Sequence, residues 1–251
     1  MDNALEYLEQ TRQFGELIRG ADQALPVPTC PDWNVGELVR HVGRGDRWAA
    51  QIVRDKLDQP LDPRSVENGK PPADPDEAIE WLQAGAQLLV DAVEQNGAQT
   101  TVWAFVGPRP AAWWIRRRLH ENVVHRADAA IALGADFTLD ARIAADGISE
   151  WFELVAIRGS RAGVPLPLDA DDTLHLHATD PGLGELGEWT VGVDQGAITW
   201  SHRHDKGAVA LRGGATELLL VATRRAAVAD IGIELHGDDA VWQKWLNRTP
   251  F

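Results

Sequence analysis

The chain has 251 residues, enough for one large or two ordinary domains with their own cores, and its 44% hydrophobic and 25% charged residues are those of a globular protein. A formal charge of −14, from 38 acidic against 24 basic residues with no basic block, argues against a nucleic-acid partner. One cysteine excludes both an intramolecular disulfide and a Cys-rich zinc site.

Residues 3 to 24 read as a first amphipathic helix, with Leu5, Leu8, Leu17 and Ile18 on its apolar side, ended by Pro26, Pro28 and Pro31. Asn34 followed by Glu37 is a capping box that opens a second helix, running to about Lys56 and carrying His41. Residues 57 to 73 hold four prolines and read as a long loop of the kind that forms a lid or rim. Asp74-Pro75-Asp76-Glu77 starts a third helix, which continues through Trp81, Leu82, Leu88, Leu89 and Val93 to Asn96-Gly97. A loop with Trp103, Phe105 and Gly107-Pro108 leads to a fourth helix from about Pro110 to Leu133. A fifth, Asp140 to Arg158, could pack with these helices or with the carboxyl-terminal part of the chain.

Beyond Pro165 and Pro167 the period changes from helical to alternating. Thr173–Ala178, Glu188–Val193 and Ala197–Ser201 read as an antiparallel meander, and Ala208–Leu211 as a further strand. A helix from Gly213-Gly214 to about Arg225, a strand near Ile231–Leu235 and a last helix at Ala240–Leu246 complete a small α+β domain. The division expected is a helical domain over 1–138 and an α+β domain over 139–251. No apolar run approaches the roughly 18 residues of a membrane span. The amino terminus lacks a basic region followed by an apolar core, so the cytoplasm is the expected location. A monomer is marginally favoured.

The chemistry concentrates on the fourth helix. At roughly 100° per residue, Arg117, Glu121, His125 and Asp128 follow one stripe of a helix otherwise filled with Trp, Leu, Val, Ile and Ala. Polar groups on an apolar helix need partners. A carboxylate and an imidazole at i, i+4 can offer a cation two ligands. The best third is His41, on the same face of the second helix as Leu38 and Trp48. Three protein ligands leave a divalent cation one open position, as in catalytic sites. The ordinary alternative is a solvating or weakly stabilising i, i+4 pair and a hydrogen-bonded core histidine. Cys30 has no base or cation set beside it by the sequence and is not taken as a nucleophile. His175/His177 and His202/His204 would each point to one face at strand spacing. With no acidic partner placed near them by pattern, the exposed face of a sheet is preferred for both pairs.

Several motifs occur in order along nearly the whole chain: Cys30-Pro31-x-Trp33, Glu37-Leu38-Val39-x-His41, Glu121-x-x-x-His125-x-x-Asp128, Gly213 through Leu218-Leu219-Leu220 to Arg225, and His236-Gly237-Asp238. Together they resemble the mycothiol-dependent maleylpyruvate isomerase family. That resemblance implies a DinB-like four-helix bundle followed by a smaller α/β domain on an antiparallel sheet. It implies that His41, Glu121 and His125 hold a divalent metal, usually zinc, with mycothiol as cosubstrate. It also implies that Arg225 matches an arginine that matters for activity; Arg224 stands where the family's pattern has glycine. The expected function is metal-dependent isomerisation or thiol S-transfer on a small electrophilic substrate through a metal-bound thiolate. Arg225 and Arg117 would hold a substrate carboxylate, and Asp128 would orient His125 or pair with an arginine. The competing expectation is a metal-containing small-ligand binding or regulatory protein without turnover.

Overall fold

The computed structural model describes residues 1–160 and 163–249. The chain divides into two compact units, Met1–Phe137 and Thr138–Phe251. No described helix is long and apolar enough to cross a membrane.

The first unit is built from α1 (Asn3–Leu17), α2 (Val35–Arg54), α3 (Pro75–Asn96) and α4 (Ala112–Leu133). Helix α1 starts where the Asp2 carboxylate accepts the Ala4 and Leu5 N–H groups. It stops at Leu17, short of the expected 24, because Gly20 takes φ +73° and Asp22 begins a separate turn by accepting the Ala24 N–H. Its buried residues are Tyr7, Gln10, Thr11, Phe14 and Gly15, and Leu5 is exposed. The face is therefore rotated from the expected one. Two polar side chains lie inside it, one of them because the Thr11 hydroxyl bonds both Tyr7 O and Asn122 Oδ1.

Helix α2 opens on the complete capping box of Asn34 and Glu37, and α3 on Asp74 with Pro75 at its first position. Leu88 of α3 is exposed, whereas Trp81, Leu82, Leu89 and Val93 are buried. A two-residue ladder, β1 (Thr101–Val102) with β2 (Arg109–Pro110), precedes α4; strands so short carry no readable period. Residues 57–73 are fastened to the helices: Trp48 Nε1 donates to Leu61 O, Trp81 Nε1 to Asn68 O and Arg44 Nε to Gly69 O.

Phe14, Ile18, Leu38, Val42, Ile79 and Leu82 form the apolar centre between α1, α2 and α3. Two glycines of α2 permit the close approach of its neighbours. A Cβ on Gly43 would lie 2.1 Å from the Trp81 ring, and one on Gly45 2.7 Å from the Arg118 guanidinium. Arg118 needs that space. Its Nε donates to Asp46 Oδ1 at 2.8 Å and its Nη2 to Val42 O at 3.1 Å, while Asn122 Nδ2 reaches the same Asp46 oxygen at 3.3 Å. Asp46 and Arg118 are both buried, so each charge depends on the other.

The second unit is a five-stranded sheet with α5 (Ala141–Gly159), α6 (Ala215–Ala222) and α7 (Asp239–Arg248). Its strands are β3 (Leu174–Ala178), β4 (Glu188–Asp194), β5 (Ala197–Ser201), β6 (Val209–Gly213) and β7 (Glu234–Gly237), in the order β5-β4-β3-β6-β7. β3, β4 and β5 form the expected meander; β6 pairs with β3 in parallel, the one parallel ladder of this sheet among the described residues. β7 begins later than expected, after Gly232 at φ +49°.

Alternation sorts the faces. Leu174, Leu176, Trp189, Val191, Val209 and Leu211 share one face and are buried. Helix α5 belongs to this unit: Trp189 Nε1 donates to Ser149 Oγ, and Phe152 lies 5.6 Å from the Trp245 ring. Gly237, at φ +93°, has no room for a side chain, since a Cβ would lie 2.2 Å from Ala208 O; Asp238 then caps α7.

Removing one member of the Asp46–Arg118 pair strands the other charge in the core. Asp46→Ala is expected to cost about 3–5 kcal/mol in chemical denaturation, and the double change Asp46→Leu with Arg118→Met much less. Equal losses in the single and double variants would contradict a mutual dependence.

Candidate metal centre

Helix α4 presents Glu121 and His125 on one face and α2 presents His41 towards them. His41 Nε2 lies 3.2 Å and His125 Nε2 3.5 Å from the same oxygen, Glu121 Oε1. The second oxygen, Oε2, accepts from Arg117 Nη2 at 2.6 Å. Arg118 Nη1 is 3.8 Å from Oε1. The carboxylate is thus divided, one oxygen held by an arginine and the other turned to two imidazoles.

His125 is fixed from behind. Its Nδ1 lies 2.7 Å from Asp128 Oδ2, and the fully buried Asp128 also accepts from Thr29 Oγ1 at 2.6 Å and Cys30 Sγ at 3.7 Å. Thr29 and Cys30 arrive on a tight turn in which Cys30 N–H bonds Val27 O and Trp33 N–H bonds Cys30 O. The same turn sets the Trp33 ring 4.6 Å from the His41 ring and 5.9 Å from that of His125. Thr29, Trp33 and Arg118 were not singled out at this centre from sequence, and Cys30 was set aside. Their partners lie far along the chain, and only the Cys30-Pro31-x-Trp33 motif signals the turn.

The electrostatics follow from burial and these contacts. Burial opposes the charge on Glu121, yet Arg117, the hydrogen bonds from His125 and His41, and Arg118 together hold its carboxyl well below the ordinary value. Burial likewise opposes a charged His125, but bonding to Asp128, Cys30 and Glu121 raises it to about 10. His41 goes the other way: burial, assisted by the charge on His125, lowers it despite Glu121. Its side chain is 39% exposed against 5% for His125, so His41 marks the solvent side of the centre.

This donor set fits a divalent cation. Tetrahedral zinc with ligands at 2.0–2.2 Å spaces neighbouring donors about 3.4 Å apart, close to the 3.2 and 3.5 Å found here. The donor atoms of His41, Glu121 and His125 all lie within 4.8 Å of one another. A carboxylate behind a ligating histidine, as Asp128 stands behind His125, is the usual outer support of such a ligand. A second trio, Cys30, His125 and Asp128, also meets the spacing; in it Asp128 Oδ2 already holds Nδ1 of His125.

Arg225 belongs to the second unit, just past α6. Its Nη1 donates to Thr223 O at 2.7 Å and its N–H to Leu220 O. Arg224 before it adopts φ +65°, the left-handed region that glycine enters freely and arginine rarely. That conformation suits the glycine of the family's pattern at this position.

Two family models match the chain: the mycothiol maleylpyruvate isomerase N-terminal domain over residues 5–130 and the MDMPI C-terminal domain over residues 142–244. Uncharacterized proteins from two strains of Mycobacterium tuberculosis are 24% identical over 172 residues, 66% of this chain and 86% of theirs. Two crystal structures of the mycothiol-dependent maleylpyruvate isomerase, one a histidine-to-alanine mutant, superpose with TM-scores of 0.60 and 0.61. They are 16% and 14% identical and are matched over 93% of this chain and 91% of theirs, a likeness of fold.

The raised pKa of His125 sets the sign of a pH dependence. Protonated His125 stabilises the metal-free fold fully below its unfolded value of about 6.5, and that contribution disappears as pH rises through about 10. Thermal unfolding of the metal-stripped protein should show a midpoint that falls between pH 7 and 10, with the fall reduced in His125→Asn. Identical profiles for the two proteins would contradict this assignment.

Proposed function

The chain belongs to the mycothiol maleylpyruvate isomerase family, and from that premise we propose that it is a zinc-dependent, mycothiol-using enzyme, an isomerase or thiol S-transferase acting on a small electrophilic substrate. The observation that carries this reading is the shared focus of His41 Nε2 and His125 Nε2 on one oxygen of Glu121.

His41, Glu121 and His125 would hold the cation. When bound there by two neutral imidazoles and one carboxylate, the cation keeps a net positive charge and lowers the pKa of a thiol brought to it. Asp128 keeps the His125 ring oriented, with Nε2 towards the centre and the proton on Nδ1. Arg117 takes up one oxygen of Glu121 and leaves the other for the ligand set. Its 2.6 Å bond makes it a support for Glu121 first and a substrate anchor second. Arg225 is assigned to the substrate carboxylate. In the isomerase case the thiol first gives its proton to solvent; the thiolate sulfur would then add to one carbon of a cis double bond conjugated with carbonyl groups, and the π pair of that bond moves onto a carbonyl oxygen. Rotation about the resulting single bond and return of that pair expel the thiolate and leave the trans product. In the transferase case the carbon–sulfur bond persists.

Metal analysis of the wild type beside His41→Ala, Glu121→Gln and His125→Ala tests the ligand set, with consumption of an electrophile in the presence of mycothiol as the second readout. Each variant should lose metal and turnover together; the same metal content in all four proteins would remove the basis of the proposal. Asp128→Asn should keep the ligands and weaken metal affinity about 10–100-fold.

Arg225→Ala separates the anion site from the metal. It should leave metal content unchanged and lower kcat/KM for an anionic substrate by about 10–100-fold, the loss of a charged hydrogen bond of about 1.5–3 kcal/mol. An unchanged kcat/KM would remove Arg225 from the site.

A further inference from the structure

We propose that His175, His177, Glu188 and His204 form a second divalent-cation site, one that takes a zinc-like transition metal. It lies wholly within the second unit and does not depend on the reading of the first centre.

The sheet assembles it. With Leu174 and Leu176 committed to the apolar face, alternation turns His175 and His177 to the other. The register pairs His177 with Glu188, so a carboxylate stands directly across the strand from an imidazole. The chain leaving β5 then returns His204 to the same carboxylate. This register supplies the acidic partner that sequence pattern did not show for the histidine pairs.

The distances converge on one point. Glu188 Oε2 faces His175 Nε2 at 2.7 Å, and Oε1 faces both His177 Nδ1 at 2.5 Å and His204 Nδ1 at 2.9 Å. One donor atom from each of the four residues lies within 4.8 Å of all the others. The rings meet edge to face, with His204 centred 4.7 Å from His175 and 5.7 Å from His177. His202 provides the contrast. It lies two residues from His204, yet its Nδ1 contacts the Glu188 backbone carbonyl and its ring lies against Trp189 and Trp200, so it is a packed structural histidine. The pair His202/His204 thus does not share a face as strand spacing suggested, because β5 ends at Ser201.

Three imidazoles and one carboxylate suit zinc, cobalt, nickel or copper, whereas magnesium and calcium favour oxygen shells. Four protein ligands complete a tetrahedron, the pattern of a structural site. A cation there would join β3, β4 and the segment after β5. For it to enter, each imidazole presents as a lone pair the nitrogen now facing Glu188, keeping its remaining proton on the other ring nitrogen, while surplus protons pass to solvent. Arg212, which pairs with His177 in the parallel ladder, is directed to Glu234 at 3.3 Å. Access is open: the His204 side chain is 71% exposed, and His175, His177 and His204 line a cleft of about 650 Å³.

Zinc stoichiometry and affinity of the full chain, stripped with a chelator and titrated by calorimetry, test the site in wild type, His41→Ala, His177→Ala and His204→Ala. His204→Ala and His177→Ala should each lose one equivalent of zinc, or bind it at least tenfold more weakly, with circular dichroism unchanged. Cobalt added to the His41→Ala protein should give the intense visible absorption of a tetrahedral centre, absent when His204→Ala is also present. Should His177→Ala fail to fold, the exposed His204→Ala decides alone. Wild-type stoichiometry and affinity in the folded histidine variants overturn the proposal. If only the first centre fails, the wild type binds one equivalent that His204→Ala removes and His41→Ala does not, so the two failures are distinguishable.

Discussion

A largely buried carboxylate must be compensated, and in the first unit the way Glu121 is compensated organises what surrounds it. One oxygen is taken by Arg117, from a turn earlier in α4, and the other faces imidazoles from α2 and from a turn later in α4. For α2 and α4 to lie close enough, α2 carries glycine at 45, against Arg118, and the Asp46–Arg118 pair is buried between the two helices. Core packing here and the polar geometry of the centre are one problem. A change that moved α2 away from α4 would separate His41 from Glu121 and break the ion pair together.

The architecture was legible in the sequence wherever an element carries its own punctuation. The Asn34/Glu37 capping box, Asp74-Pro75 and Asn96-Gly97 marked the start of α2 and both ends of α3 within a few residues. Alternation gave the meander. Local signals failed where a distant partner decides. Gln10 and Thr11 of α1 are buried, Thr11 through Asn122, more than a hundred residues away, so the inward face was misplaced and Leu5 put inside it. Cys30 was set aside because its companions, Asp128 and His125, are nearly as far off. The ordered motifs of the family carried that long-range information where periodicity could not.

Register was the other thing hidden. Which residue of β4 opposes His177 depends on the pairing of two strands joined by a nine-residue connection, and a slip of one position would have turned Glu188 to the opposite face. The apolar side of the sheet fixes the answer, since only this pairing stacks Leu174 on Val191 and Leu176 on Trp189. The polar cluster is thus specified by hydrophobic residues it does not touch.

The divided carboxylate of the first unit also settles a question of charge. Around Glu121 the metal-free protein sets Arg117, Arg118 and protonated His125 against Glu121, Asp128 and Asp46, with Arg47 beside Asp46. Exchanging the proton on His125 for a dication would raise the charge there by one unit, and in a partly buried place such a rise seeks a counterion. A neutral visitor would leave that rise standing, whereas one that sheds a proton on arrival would remove it.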